Sequence, residues 1–370
     1  MIRLGVIVFA AFIFFSGPII PWRMGYFDES WGWADYEAKL RDPWLDLSKT
    51  HISSDQFSHL PKLNYRLTAP LLSRLLGLDA QGYVVLSGLA CFITGCAFVS
   101  FGWRVTRDPV SAVCTGFLFA GLTAASQSVR SFTGHFDGLA YCFLALALAA
   151  TRWPWIALAT FLACWTDQRA ALVSPIVVLI HALNVRREER SGWFELRRPA
   201  CLGVVAGLLA WALTLGIALG LSHMKFRSEG VGAASVANTI QYAPRIVWGA
   251  LEGAWILLLG GAVAAWRAGQ KLLPLMIVGV VGLYLAATFA TLDVSRSASY
   301  LIPAVAMAVA LASISQPREV VRQRLYCAAA VSLLCPNFNI ISLVYARTVE
   351  PLWLEALLTL RDLWMPLPPT

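Results

Sequence analysis

Charge is what this sequence has least of. Asp, Glu, Lys and Arg make up 14% of its 370 residues, where a soluble domain carries about a quarter. With 58% hydrophobic residues, the chain has too little polar surface to cover its apolar volume in water. Several other features are missing. There is no helix-turn-helix or zinc-finger spacing, so the net charge of +8 does not indicate nucleic acid as a partner. The Lys and Arg sit in short clusters between apolar runs, which is the pattern of membrane topology. Cys91 and Cys96 lack CxxC spacing and no Cys lies in the long polar loop, so no disulfide framework or metal knuckle is implied. The eight Cys read instead as small buried apolar side chains. The apolar N-terminus ends in Ser16-Gly17-Pro18-Ile19-Ile20-Pro21 without a small-x-small cleavage site, which favours a retained helix. No internal repeat or low-complexity tract is visible.

What is present is a series of apolar runs, each approaching the 17–25 residues, roughly, that cross ~30 Å of hydrocarbon. The runs fall at 4–20, 83–103, 110–126, 136–151, 153–166, 170–184, 200–222, 247–266, 272–292, 298–314 and 325–344. They predict an all-α, polytopic integral membrane protein of about eleven spans and one transmembrane domain over 1–370. The connecting segments alternate in charge. One side holds Arg3, Arg104, Arg107, Arg152, the Arg cluster at 186–198, Arg267, Lys271, Arg318, Arg322 and Arg324, for a net +9; the other side nets −1. The positive-inside rule makes the basic side cytoplasmic, N-terminus included.

The outer side then collects the unusual polar residues. Its first loop, 21–82, is rich in Trp and Tyr, as interfacial segments are. Residues 66–78 read as an amphipathic helix with Arg66 and Arg74 on one face and leucines toward lipid. The tail 345–370 looks similar. Asp28 and Asp35 lie seven apart, so a continuous helix puts both on one face; carboxylates there suit a general base or a metal ligand, against a solvated acidic loop. His135 and Asp137 open the fourth span, either as site residues or with Asp137 as a helix cap. His135 has no partners at metal-ligand spacing. The turn Asp167-Gln168-Arg169 offers a guanidinium suited to a phosphate or a plain salt bridge. Asp293-Val294-Ser295-Arg296 repeats that choice. Lys225 and Arg227 precede a Gly/Ser/Ala-rich stretch at 228–238 that reads as a ligand-ordered loop or an ordinary exposed one.

These residues resemble the GT-C type integral-membrane glycosyltransferases that use polyprenyl-phosphate sugars, particularly bacterial members. The likeness rests on Tyr26-Phe27-Asp28-Glu29, on Asn64-Tyr65-Arg66-Leu67-Thr68-Ala69-Pro70-Leu71-Leu72, on Asp167-Gln168-Arg169…Ser174-Pro175 and on Asp293-x-x-Arg296…Pro303. No Asp-x-Asp or His-x-x-x-Asp-Glu signature accompanies them. The resemblance implies a bacterial inner-membrane enzyme whose site faces outward. It implies Asp28 as base with Asp35 as the alternative, and Arg66, His135, Asp137, Arg169, Lys225, Arg227 and Arg296 around the substrate and its lipid phosphate. The partners implied are the bilayer, a lipid-linked sugar donor and a glycan, lipid or protein acceptor. A divalent metal is the one cofactor such acids admit. A transporter or flippase of a lipid-linked or anionic substrate, or a polysaccharide polymerase or ligase, is the competing expectation.

Overall fold

A computed structural model describes residues 6, 7, 10, 33–45, 64–130, 136–183, 196, 198–222, 232–291, 293–335, 337–341 and 345–349. The described chain is helical apart from one antiparallel hairpin. Its elements are α1 (Trp33–Arg41), α2 (Thr68–Leu76), α3 (Ala80–Thr106), α4 (Pro109–Ala120), α5 (Thr123–Arg130), α6 (Asp137–Ala149), α7 (Trp153–Thr166) and α8 (Arg169–Ala182). They continue with α9 (Pro199–Ser222), α10 (Ala233–Thr239), α11 (Ala243–Leu251), α12 (Ala254–Arg267), α13 (Leu272–Phe289), α14 (Val294–Ser299), α15 (Ile302–Ser315) and α16 (Arg318–Leu334). Strands β1 (Asn337–Ile341) and β2 (Tyr345–Val349) pair Phe338 with Thr348 and Ile340 with Ala346.

Most expected apolar runs became helices, and α7 matches its expected bounds. Three runs are each shared between two helices, among them 298–314, which takes in the end of α14 and most of α15. The run 110–126 breaks at Gly121–Leu122 into α4 and α5. The run 247–266 bends by 82° between α11 and α12. The last run, 325–344, is corrected: its helix ends at Leu334 with Cys335 extended, and strand β1 follows Pro336, because a residue before proline leaves the helical region. Four described helices are long and apolar enough to cross a membrane, or five if the bent pair counts as one span. These helices define an integral membrane protein; the count of eleven spans stays an expectation. Of the first expected span only residues 6, 7 and 10 are described.

The interior is built on small side chains. The window Val294–Ser315, which contains α14 and α15, is 94% buried, and α15 is mostly Ala and Val, so neighbours approach closely. A Cβ at Gly261 of α12 would already touch Leu311 and Ala312 of α15 at 3.0 Å. Helix α9 shows the opposite pattern. Its membrane-crossing window is 17% buried and Leu202, Leu209, Leu213 and Ile217 are exposed, as suits a surface facing lipid. It is seated on α7 through Gly203 and Gly207, where a Cβ would come within 2.7 Å and 2.5 Å of the Trp153 and Ala157 carbonyls.

At one end of the body, Arg104 donates to the carbonyls of Leu148, Ala149 and Ala150 and so closes the C-terminus of α6. Asp108 caps α4 by accepting from the Ser111 amide at 3.0 Å, and it pairs with Arg318 at 3.0 Å. At the other end, α2 is stitched across the end of α7. The Leu67 amide donates to Trp165 O (3.0 Å) and the Thr68 hydroxyl to Leu162 O (3.1 Å), so carbonyls of the last turn of α7 gain partners. Leu71, Leu75 and Leu76 are exposed while Thr68, Ala69, Pro70 and Ser73 are buried, which is the amphipathic helix expected. The expectation of a shared Arg66–Arg74 face is corrected. The helix starts at Thr68, so Arg66 lies before it and turns inward while Arg74 stays exposed. All eight Cys are free; five are buried and Cys327 is exposed rather than buried.

Candidate functional site

The α2 end of the body holds a cluster of three arginines and three aspartates. Asp137, the first residue of α6, is wholly buried. Its Oδ1 accepts from Arg169 Nη2 (3.0 Å) and from the Tyr300 hydroxyl (2.8 Å), and its Oδ2 from Arg296 Nε (2.7 Å). Asp137 therefore does not serve as a side-chain cap. Its carboxylate is spent on long-range partners, and its place in the first turn adds a favourable dipole interaction.

Asp167 ends α7 in an extended conformation. Its Oδ1 accepts from the Arg169 amide two residues on, an Asx-type turn, and from Arg169 Nε, each at 2.9 Å. Its Oδ2 accepts from Arg169 Nη2 and Arg66 Nη2, each at 2.8 Å. Burial pushes this carboxyl upward, but the Arg169 and Arg66 guanidiniums outweigh that effect and hold it well below the usual carboxylate range. Arg169 also lies over the Tyr300 ring, 4.5 Å from its centroid. Arg296 pairs with Asp293 three residues back as well as with Asp137. The short helix α14 that carries Arg296 is tied down by the Tyr284 hydroxyl, which donates to Ser297 O at 2.8 Å, and by Thr291, whose hydroxyl meets Ser297 Oγ at 3.0 Å.

Both bland pairings expected of the acid-x-Arg turns, Asp167 with Arg169 and Asp293 with Arg296, are thus realised. What the turns alone did not predict is that the two join through Asp137. The Tyr141 hydroxyl is buried without a partner among the described residues, and so is one guanidinium donor, Arg296 Nη2. The six formal charges cancel, so an incoming anion would gain this spare donor and would compete with a carboxylate for the rest.

A groove of about 340 Å³ runs along α2 and α7, lined by Trp44, Leu67, Leu71, Leu75, Phe161 and Trp165 among others. Its lining is almost wholly apolar. The groove lies between α2, α7 and α9, and none of the six charged residues of the cluster lines it.

Of the residues singled out from sequence, Arg66, Asp137, Arg169 and Arg296 come together here. Asp35 lies on α1, which packs against α2 and α3. Asp28, His135, Lys225 and Arg227 lie outside the described residues. Among the described residues no three His, Cys, Asp or Glu side chains gather around a point that could hold a metal ion. Sequence reading missed Tyr300, Ser297, Tyr284 and Tyr141, whose ring meets Tyr300 edge-on with centroids 4.9 Å apart. One signal was available: Tyr300 lies four residues after Arg296, one helical turn on.

Fold and site together define a mostly helical integral membrane protein with a buried ionic cluster at one end and an apolar groove along α2 and α7. Comparison with family models, with curated proteins and with solved structures finds no match for this chain.

Proposed function

We propose that this protein is a membrane glycosyltransferase that moves a sugar from a polyprenyl-phosphate donor to an acceptor at the outer leaflet of a bacterial inner membrane. The observation that carries the reading is the buried cluster at the α2 end, where Arg66, Arg169 and Arg296 gather and Arg296 Nη2 has no partner among the described residues. A polyprenyl-phosphate sugar has a long apolar chain joined to an anionic head; the guanidiniums suit the head, and an apolar groove between α2, α7 and α9 suits the chain. In the reaction, the acceptor hydroxyl oxygen bonds to the sugar C1 as the C1–O bond to phosphate breaks. The phosphate keeps the electron pair, and its developing charge is stabilised by preorganised guanidinium donors. The hydroxyl proton passes to a carboxylate within hydrogen-bond reach. On the family resemblance that base is Asp28, or Asp35 on the helix packed against α2. Arg66 and Arg169 act on the head group through the same network, and Lys225 and Arg227 complete the phosphate contacts.

The 82° bend between α11 and α12 is the one feature that favours the transporter reading, since broken helices line transport paths. The visible charges argue the other way, because they gather at helix ends rather than along a path.

The test is transfer by the purified protein across a panel of polyprenyl-phosphate sugars, comparing wild type with Arg296→Lys. Lysine keeps the charge but loses the fork. The expected outcome is a fall in kcat/KM on the order of a hundredfold, with the variant still folded and its melting midpoint lowered less than by Asp137→Ala. Full activity in Arg296→Lys would remove Arg296 from the site, and no transfer from any donor by the wild type would refute the enzyme.

A further inference from the structure

Glu252 occupies the break between α11 and α12 with φ 45° and ψ −124°, a backbone conformation that turns reserve for glycine. A glutamate held there against its own backbone preference calls for a role for the side chain. That side chain is buried, and its Oε1 accepts from both the amide and the hydroxyl of Thr123 at 2.7 Å. Thr123 is the first residue of α5, just past the break at Gly121–Leu122, so Glu252 joins two helix breaks and caps α5 from outside. The next residue fixes the break from the opposite side. The Gly253 amide donates to Ser332 Oγ at 3.0 Å, and a Cβ there would lie 2.0 Å from the Ala328 carbonyl.

The two elements joined by Glu252 are both walls of α14. Helix α14 packs against α11 and against α5, and it carries Arg296, the residue with the spare donor. We infer that Glu252 is a positioning residue: by hydrogen-bonding the first turn of α5 to the α11–α12 break, it fixes the two walls that hold Arg296 against Asp137.

Glycine and glutamine at this position separate the side chain from the backbone. Glu252→Gly suits the turn better but loses both hydrogen bonds. Glu252→Gln keeps a carbonyl oxygen that accepts both. The measurement is hydrogen exchange of the full-length protein in detergent, read by mass spectrometry over peptides from α5, α14 and α9. For Glu252→Gly, exchange in α5 and α14 should rise on the order of tenfold, while α9, which packs against α7 and α8, stays unchanged. Glu252→Gln should remain within about twofold of wild type. Thr123→Val, which keeps the amide donor and loses the hydroxyl, should raise exchange in the same peptides by less, and it serves if the glycine variant does not fold. Unchanged exchange in α14 for Glu252→Gly, or for Thr123→Val if the glycine variant does not fold, would overturn the inference. So would equal loosening of α9, or a glutamine variant that behaves like glycine. This measurement needs no donor and stands apart from the transfer reading. A parallel loss of transfer in Glu252→Gly but not in Glu252→Gln rests on that reading and tests it separately.

Discussion

The two ends of the helical body treat their arginines differently. At the Asp137 end the Arg66, Arg169 and Arg296 side chains are 11%, 16% and 7% exposed, and each meets at least one aspartate. At the Asp108 end the Arg318 side chain is 57% exposed, and Arg104 spends its guanidinium on backbone carbonyls. Distance along the chain does not separate the ends, since Arg318 and Asp108 are 210 residues apart and Arg296 and Asp137 are 159. Burial does. A guanidinium that reaches water or a helix terminus needs no dedicated partner. A guanidinium enclosed by helices needs a fixed carboxylate, because an unpaired buried charge is far more costly than a paired one. Such a network is kept where its charges have a use, and this marks the Asp137 end, rather than the Asp108 end, as the candidate site.

The strongest way to break this contrast is Asp137→Ala. It removes the carboxylate shared by Arg169 and Arg296 and leaves buried positive charge without compensation, at a cost of roughly 3–5 kcal/mol. A large fall in the thermal midpoint of the detergent-solubilised protein is expected. A midpoint within a degree or two of wild type would mean that water reaches the cluster and that the two ends are alike. Arg66→Ala should come next. Arg66 meets Asp167, which keeps its three contacts from Arg169. Loss of one charge-assisted hydrogen bond costs about 1.5–3 kcal/mol. The loss should be local, appearing as faster proteolysis or exchange around α2 while the midpoint shifts less than for Asp137→Ala.

The contrast between the ends also explains what could be read from the sequence. Apolar length gave α7 and α9 nearly to the residue and α3 to within three at each end, because a run that must satisfy its own backbone in hydrocarbon has little choice but helix. The same rule was silent about direction. The runs 110–126 and 247–266 stay apolar straight through their breaks, and only Glu252, a lone acid within the second, marked one of them. Pro336 could have ended the last helix, but hydropathy alone carried the expected span past it. At the site, the arginines and Asp137 were legible as charges at span ends. Their pairing was not, since Arg296 to Asp137 depends on how α14 is seated against α5 and α11. Tyr300 was missed because a tyrosine at a span end ordinarily reads as an interfacial anchor, whereas here its hydroxyl donates to a buried carboxylate.

The smallest effects belong at the other end, and pH gives them a direction. Asp108 is held below the usual carboxylate range, chiefly by the Ser111 hydroxyl it accepts from and, after a raising contribution from burial, by the Ser111 amide and Arg318. A carboxyl lowered in the folded state contributes stability that is fully present above its unfolded value of about 3.9 and is lost as pH falls through the folded value. Asp108→Ala should therefore cost about 1 kcal/mol at pH 7, the usual worth of such a cap, and its deficit should shrink toward zero below pH 4. Arg318→Ala, an exposed partner, should cost no more than about 1 kcal/mol and lose even that in high salt. Thermal midpoints from pH 7 to pH 3 for both variants make the measurement. If Arg318→Ala proved as damaging as Arg66→Ala, the exposed end would be holding its cation as tightly as the buried one, and burial could no longer be the reason that only one end gathers aspartates around its arginines.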